Sequence, residues 1–498
     1  MNYIGIDLGT SSVKLVVMSG EGKVVTSVSK EYDVYFPKPG WAEQNPEHWW
    51  LAVKDGLKEL LVKSKVSSES VKGIGFSGQM HGLVALDKDY EVIRPAILWC
   101  DQRTQEECDY LNNVIGQAKV SEYTGNMALT GFTAPKILWM KNHEPELFSR
   151  IKHIMLPKDY IRFRLTGELA TDVSDASGML LLDVKNRVWS KEMLDISGIT
   201  EEMLPKLCES WEPTGTLLKE VAEYTGLQEA TVVVGGAGDQ AAGAVGTGTV
   251  SEGIISAALG TSGVIFASSE EYELDDNNRL HSFCHANGKY HQMGVMLSAA
   301  ACLKWWVDEL NKDVQGDTFE VLLEEAAKSV PGSNGVVFLP YLMGERTPYS
   351  DPYAKGVFFG LSMTTNRGDM TRAVLEGVCF GLRDSFEILK QLNVPIKEVR
   401  VSGGGSKSIL WRQTLADILN APVVCINASE GPAYGAAILA AVGCGQFNTV
   451  DEACAELIKV TDAVQPIAEH VEAYNKVYKV YNELYPALKD SFKKISTL

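Results

Sequence analysis

Two carboxylates stand where apolar strands run out into glycine, and their surroundings are suited to phosphate chemistry. Asp7 lies in residues 3–14, YIGIDLGTSSVK, where the strand formers Tyr3, Ile4 and Ile6 lead into Gly9, Thr10, Ser11 and Ser12 and then into a second apolar run. Such a turn offers backbone N–H groups and hydroxyls to phosphate oxygens, and a carboxylate beside it can hold Mg²⁺ directly or through its water shell. The same residues also fit an ordinary β-hairpin with a Gly-Thr turn. Residues 254–266, IISAALGTSGVIF, repeat the device with Ala258 and Leu259 near the place of the acid. Two such turns closing from opposite sides make a clamp for a polyanion, with any metal belonging to the first copy.

Asp239 is the candidate base. It follows the apolar run 231–234 and Gly235-Gly236-Ala237-Gly238, so a ligand can come close to the backbone. At the first turn of a helix its ionised form is expected to be favoured by the helix dipole and nearby N–H groups. An N-cap aspartate bonded to the N–H of Ala241 or Ala242 fits the same position. Met80 and His81, in SGQMHG at 77–82, would enter a crevice between two strands, although a lone histidine is more often structural. Asp101 and Arg103 either bind polyol hydroxyls or start and charge a helix, and the helix start is the better reading.

Gly403, Gly404 and Gly405 follow the apolar run 399–402 and precede a helical pattern, which suits the ribose and phosphate of a nucleotide or a flexible turn. The small-residue stretch 431–437, GPAYGAA, permits either close helix packing or an adenine slot, with packing preferred. His281 and His285 are four apart, but the residues between them read as extended, which argues against zinc.

The elements that must position these groups alternate between strand and helix, so the fold class is α/β. With 498 residues and 45% hydrophobic content, the chain can fill two cores, and the first domain is expected to end near Thr249. Asn45 and Pro46 mark a helix start, followed by Trp49, Trp50, Val53, Leu57, Leu60 and Leu61 at helical spacing; the tryptophans read as core. Residues 171–178, rich in Gly, Ser and Asp, read as a loop, and residues after about 445 as amphipathic helices. A formal charge of -18 argues against nucleic acid or an anionic membrane surface as partner. Nine cysteines without CxxC spacing read as reduced thiols. A strand beginning at residue 3 leaves no room for a signal peptide and no apolar stretch is long enough to span a bilayer, so the expected location is cytoplasmic.

Two longer stretches carry a resemblance. Residues 131–143, GFTAPKILWMKNH, and the segment running from GVFFGL at 356–361 to AVLE at 373–376 resemble the two signatures of the FGGY family of carbohydrate kinases. SGQMHG at 77–82, LPKDY at 156–160 and GERTP at 344–348 resemble those members that act on D-xylulose. The resemblance implies an actin-like ATPase fold with RNase H-like cores and a central cleft. It implies domains at 1–248 and 249–445, with helices at 446–498 packed on the second. It further implies ATP and Mg²⁺ as cofactors and a small sugar as substrate, and leaves a homodimer open. Carried over by position, Asp239 becomes the general base, Met80 and His81 sugar contacts with Gln240 and Asp101 beside them, and Asp7 the residue nearest Mg²⁺. Thr10, Lys14, Gly260, Thr261 and Gly403 to Gly405 would hold the nucleotide. Gln240 departs from the asparagine common in members acting on D-xylulose, which keeps L-ribulose, gluconate or glycerol as alternative acceptors.

Overall fold

The computed structural model describes residues 1–428 and 430–496. The first sheet contains β1 (Asn2–Leu8), β2 (Ser12–Ser19), β3 (Val24–Glu31), β4 (Val71–Gly78), β5 (Pro213–Thr216) and β6 (Val232–Val234), in the order β5-β6-β4-β1-β2-β3. The second contains β7 (Gly253–Leu259), β8 (Gly263–Ser269), β9 (His281–Cys284), β10 (Tyr290–Met296), β11 (Ile396–Ser402), β12 (Val423–Ile426) and β13 (Val460–Val464), in the order β9-β10-β8-β7-β11-β12-β13.

The two sheets share one plan. In the first, β1, β2 and β3 form an antiparallel meander, β4 runs parallel to β1, and β6 runs parallel to β4. In the second, β7, β8 and β10 form the meander, β11 runs parallel to β7, and β12 runs parallel to β11. The repeated hairpins in the sequence are therefore the equivalent β1-β2 and β7-β8 turns of a doubled βαβ architecture.

Alternation along β1 and β2 divides their side chains between two layers. Ile4, Ile6, Leu8, Val13, Leu15 and Val17 join Trp49, Trp50, Val53, Leu57 and Leu60 of α1 (Pro46–Ser64) in one core. Asn45 caps α1 by accepting from the Glu47 N–H at 3.0 Å, and both tryptophans are buried, as the spacing predicts. Tyr3, Val16 and Met18 face the other way.

Their partner comes from the far end of the chain. Three further helices matter here: α2 (Pro157–Thr166), α3 (Asp239–Thr247) and α4 (Ala300–Leu310). The helix after β12, α5 (Gly431–Gly443), packs Ala433, Tyr434, Ala437 and Ile438 against Tyr3, Val16 and Met18, together with Ala241, Ala242 and Val245 of α3. The approach is backbone to backbone. A Cβ on Gly5 would lie 1.8 Å from the Ala433 carbonyl oxygen, and one on Gly435 would lie 1.9 Å from that of Ala242. The small residues at 431–437 thus serve packing.

Two expectations are corrected. Residues 171–178 are not an open loop: they form a strand (Ala170–Asp172) and two short helical turns, all buried, because the polar side chains bond one another. The tail is not all helix, since β13 pairs antiparallel with β12 and closes the edge of the second sheet before the long helix Ala468–Ile495. Residues 497 and 498 of the expected 446–498 segment lie outside the described residues.

Candidate active site

The first hairpin turn is held by its carbonyl groups. Tyr32 Oη donates to Gly9 O at 2.6 Å, the Gln44 side-chain amide to Thr10 O at 2.6 Å, and the Tyr32 N–H to Ser11 O at 3.1 Å. The Thr10 and Ser11 N–H groups have no partner among the described residues, so the turn is fixed with its donors unspent. The indole of Trp99 donates to Thr10 Oγ1 at 3.0 Å. Lys14 stands opposite Asp7 in the β1-β2 ladder, and its ammonium pairs with Glu430 just before α5.

The second turn is built the same way. Gly260 O accepts from the Ala300 N–H and Thr261 O from the Ala299 N–H, both at 2.8 Å, which anchors the turn to the start of α4. The triple glycine lies directly on it: Gly403 has φ +85, and a Cβ there would meet the Leu259 carbonyl oxygen at 2.6 Å. Thr261, Gly404 and Gly405 line one cavity of about 580 Å³ with Ala300, Leu303, Phe319 and Leu323. An anion-binding turn opening into an apolar slot is suited to a nucleotide.

Asp239 is the first residue of α3, directly after Ala237–Gly238, which pair with Ser77 and Gly78 of β4. Ser77 also stands beside Asp7 in the ladder, so Asp7 and Asp239 end strands two places apart, roughly 10 Å across the sheet. Both are half-buried at the carboxyl ends of the strands, where open α/β sheets bind ligands. The expected preference for ionised Asp239 is reversed. Burial, and then the negative charge of Asp7, raise its pKa to about 7, against the pull of the backbone and side-chain amides of Gln240. Nor does it cap the helix: the N-cap is Gly238. Asp7 is raised as well, chiefly by burial, while a 2.8 Å bond from Ser77 Oγ and the charge of Lys14 lower it.

Met80 is buried and packs over Gly238, where a Cβ would meet its sulfur at 2.8 Å. His81, with φ +68, bonds Gly178 O through Nδ1 at 2.6 Å and lies 4.7 Å from the Phe132 ring, centroid to centroid. Asp101 is not available to a ligand. Its carboxylate accepts from the Ala42 N–H and from Arg103 N, Nε and Nη2, and it is wholly buried. Arg103 in turn stacks over Trp41 at 3.6 Å, so this pair braces the fold, a correction to its candidacy as a sugar contact.

Residues 2–246 match the N-terminal domain of the FGGY family of carbohydrate kinases, and residues 255–444 match its C-terminal domain. The chain belongs to this family. It is 41% identical to a xylulose kinase of Bacillus subtilis (strain 168), with 98% of each chain covered. It is 42% identical to one of Escherichia coli (strain K12), covering 98% of this chain and 99% of that one. The crystal structure of a xyloylose kinase from Brucella ovis superposes with a TM-score of 0.92 at 38% identity, over 98% of this chain and 100% of that one.

Phosphoryl transfer in general draws on a divalent cation for charge neutralisation, and the donors present fit one. Among the described residues no group of three or more His, Cys, Asp or Glu could hold a metal, so a closed protein cage is absent. Asp7, at the end of β1 beside the unspent donors of the Thr10-Ser11 turn, suits Mg²⁺ completed by phosphate and water oxygens.

Some of the site's surroundings escaped sequence reasoning. Trp99 carries no sign in the sequence of its bond to Thr10, and the apolar wall from Ala300 to Leu323 shows only helical periodicity. Of the buried polar residues behind Gly238, Lys158 stands in the LPKDY stretch with no sign of its partners, and Asp172 and Ser174 carry only the signal of polar residues in a Gly- and Ser-rich run.

Proposed function

We propose that this FGGY kinase transfers the γ-phosphoryl group of ATP to the terminal hydroxyl of D-xylulose, giving D-xylulose 5-phosphate, in the cytoplasm and as part of xylose use. The names of the curated relatives favour this acceptor over L-ribulose, gluconate or glycerol. Among the described residues no helix is long and apolar enough to cross a membrane. The observation that carries the reading is the placing of Asp239: a half-buried carboxylate that opens α3 at the carboxyl end of the first sheet, two strands from Asp7 and its hairpin turn.

In the mechanism, the nucleotide base and ribose occupy the cavity beside Gly404, Gly405 and α4, and the phosphates run between the Gly260-Thr261 turn and the Thr10-Ser11 turn. Lys14 exchanges its partner Glu430 for phosphate oxygen. Asp7 would hold Mg²⁺, which supplies charge neutralisation at the phosphates. His81 Nε2, left as an acceptor, orients a sugar hydroxyl, and Met80 packs the carbon chain. Asp239 accepts the proton of the attacking hydroxyl as the bond to phosphorus forms. Because phosphoryl transfer is loose, alignment and charge contribute more than basicity.

The test is a coupled assay with ATP and Mg²⁺ on D-xylulose, L-ribulose, gluconate and glycerol, for the wild type and Asp239→Ala. The expected result is the highest kcat/KM on D-xylulose and a loss on the order of 10³-fold or more in the variant. A higher kcat/KM on another acceptor would overturn the substrate, and a folded, active Asp239→Ala would overturn the base.

A further inference from the structure

Behind the base lies a polar cluster with no access to solvent. Lys158 Nζ on α2 reaches Asp159 Oδ1 at 2.7 Å, Asp172 Oδ1 at 2.8 Å and Asp175 Oδ2 at 3.4 Å, and all four side chains are at most 1% exposed. Burial works against the ammonium, but the three carboxylates more than offset it and keep it charged. Asp172 Oδ2 collects four side-chain and backbone donors: Ser174 Oγ at 2.5 Å, Ser174 N at 2.8 Å, Ser210 Oγ at 2.9 Å and Asp175 N at 3.4 Å.

One of these donors has a second bond. Ser174 Oγ accepts at 3.2 Å from the N–H of Gly238, the residue directly before Asp239. The same buried segment ends in Gly178, whose carbonyl holds His81. A single rigid stretch, anchored by Lys158, therefore touches the base at one end and the imidazole at the other. Ser210 bonds the same Asp172 oxygen but its side chain has no bond to Gly238, so it shares the cluster without sharing the link.

We propose that Ser174, held by Asp172 and Lys158, is a positioning residue for phosphoryl transfer: its hydroxyl fixes the Gly238 peptide and so sets the direction in which the Asp239 carboxylate enters the cleft. This rests on the reading of Asp239 as the base. Removing the hydroxyl deletes none of the bonds that hold His81, which is bonded by the Gly178 carbonyl and not by Ser174, and Lys158 still anchors the stretch through Asp172 and Asp175. The effect therefore falls on kcat and spares KM.

The experiment compares Ser174→Ala with Ser210→Ala in the full-length enzyme, with Asp239→Asn alongside. Each serine variant deletes one bond to Asp172 Oδ2, and both are expected to lose similar thermal stability. Ser174→Ala should lower kcat by on the order of ten- to a hundred-fold, with KM for D-xylulose within about two-fold and ATP affinity unchanged. Ser210→Ala should keep its kcat, and Ser174→Thr, which retains the hydroxyl, should recover most of it. Equal kcat values in the two alanine variants, whether both normal or both reduced, would overturn the proposal. If Asp239→Asn is inactive while Ser174→Ala is normal, only the positioning role falls. An active Asp239→Asn removes the base reading and the proposal with it.

Discussion

The imidazole of His81 and the carbonyl of Gly178 are joined by one hydrogen bond, Nδ1 to oxygen at 2.6 Å, and it fixes the tautomer. A carbonyl only accepts, so Nδ1 carries the proton and Nε2 remains an acceptor. Burial, more than any neighbour, holds the ring well below its usual pKa and therefore neutral. A Cβ at position 178 would lie 2.5 Å from the ring atoms Cε1 and Nδ1. Gly178→Ala should displace the imidazole and raise KM for the sugar about ten-fold or more, with nucleotide affinity unchanged; steady-state kinetics and calorimetric titration of ATP check the pair of outcomes.

The near-neutral Asp239 predicts an acid limb in the pH profile of the free enzyme. A base must be ionised to take a proton, so kcat/KM for the sugar should rise with pH through about 7 and level off above it. A limb at the ordinary carboxylate value near 4 would remove the raised pKa from the account.

The same carboxylate should cost stability. Its folded pKa lies above the unfolded value of 3.8, so the folded protein binds more protons and loses stability as pH rises from about 4 to beyond 7. Asp239→Asn should therefore unfold at a higher temperature than the wild type at pH 8, by an amount corresponding to about 2 to 4 kcal/mol, and show no gain at pH 3. Calorimetry of the ligand-free proteins at both pH values is the check.

Gly403, in the loop proposed to hold the nucleotide, tolerates no side chain. With φ +85 and the Leu259 carbonyl 2.6 Å from a would-be Cβ, Gly403→Ala must shift the loop off the second hairpin. ATP binding should weaken about ten-fold while the sugar KM moves little, because the proposed sugar contacts Met80 and His81 follow β4 of the other sheet.

Much of this was legible in the chain. The hairpins, α1 with its Asn45 cap, and the strand before Asp239 follow from alternation, capping and turn chemistry, which act over a few residues. What escaped is long-range. The raised pKa of Asp239 depends first on its burial in the folded chain and then on Asp7, which is distant in sequence and two strands away in the sheet. Residues 171–178 read as a loop because polar residues normally seek water; here Lys158, thirteen or more positions away, supplies the charge that lets them bury. Asp101 reads from its neighbours as a helix start, and by resemblance as a sugar contact; its bracing role depends on the Ala42 N–H, far away in the chain. β13 was missed because an exposed edge strand has no buried face to imprint a pattern.

Helix α5 belongs by sequence to the second half, yet it covers Tyr3, Val16 and Met18 of the first sheet. A ribosome that has delivered the first 248 residues has therefore not delivered a finished half. One face of the central strands stays bare until residue 443 emerges, so the nascent chain must hold an apolar sheet open across nearly two hundred further residues. A fragment cut at the apparent boundary would inherit that exposed face, and separating the two halves as independent modules would require supplying α5 to the first.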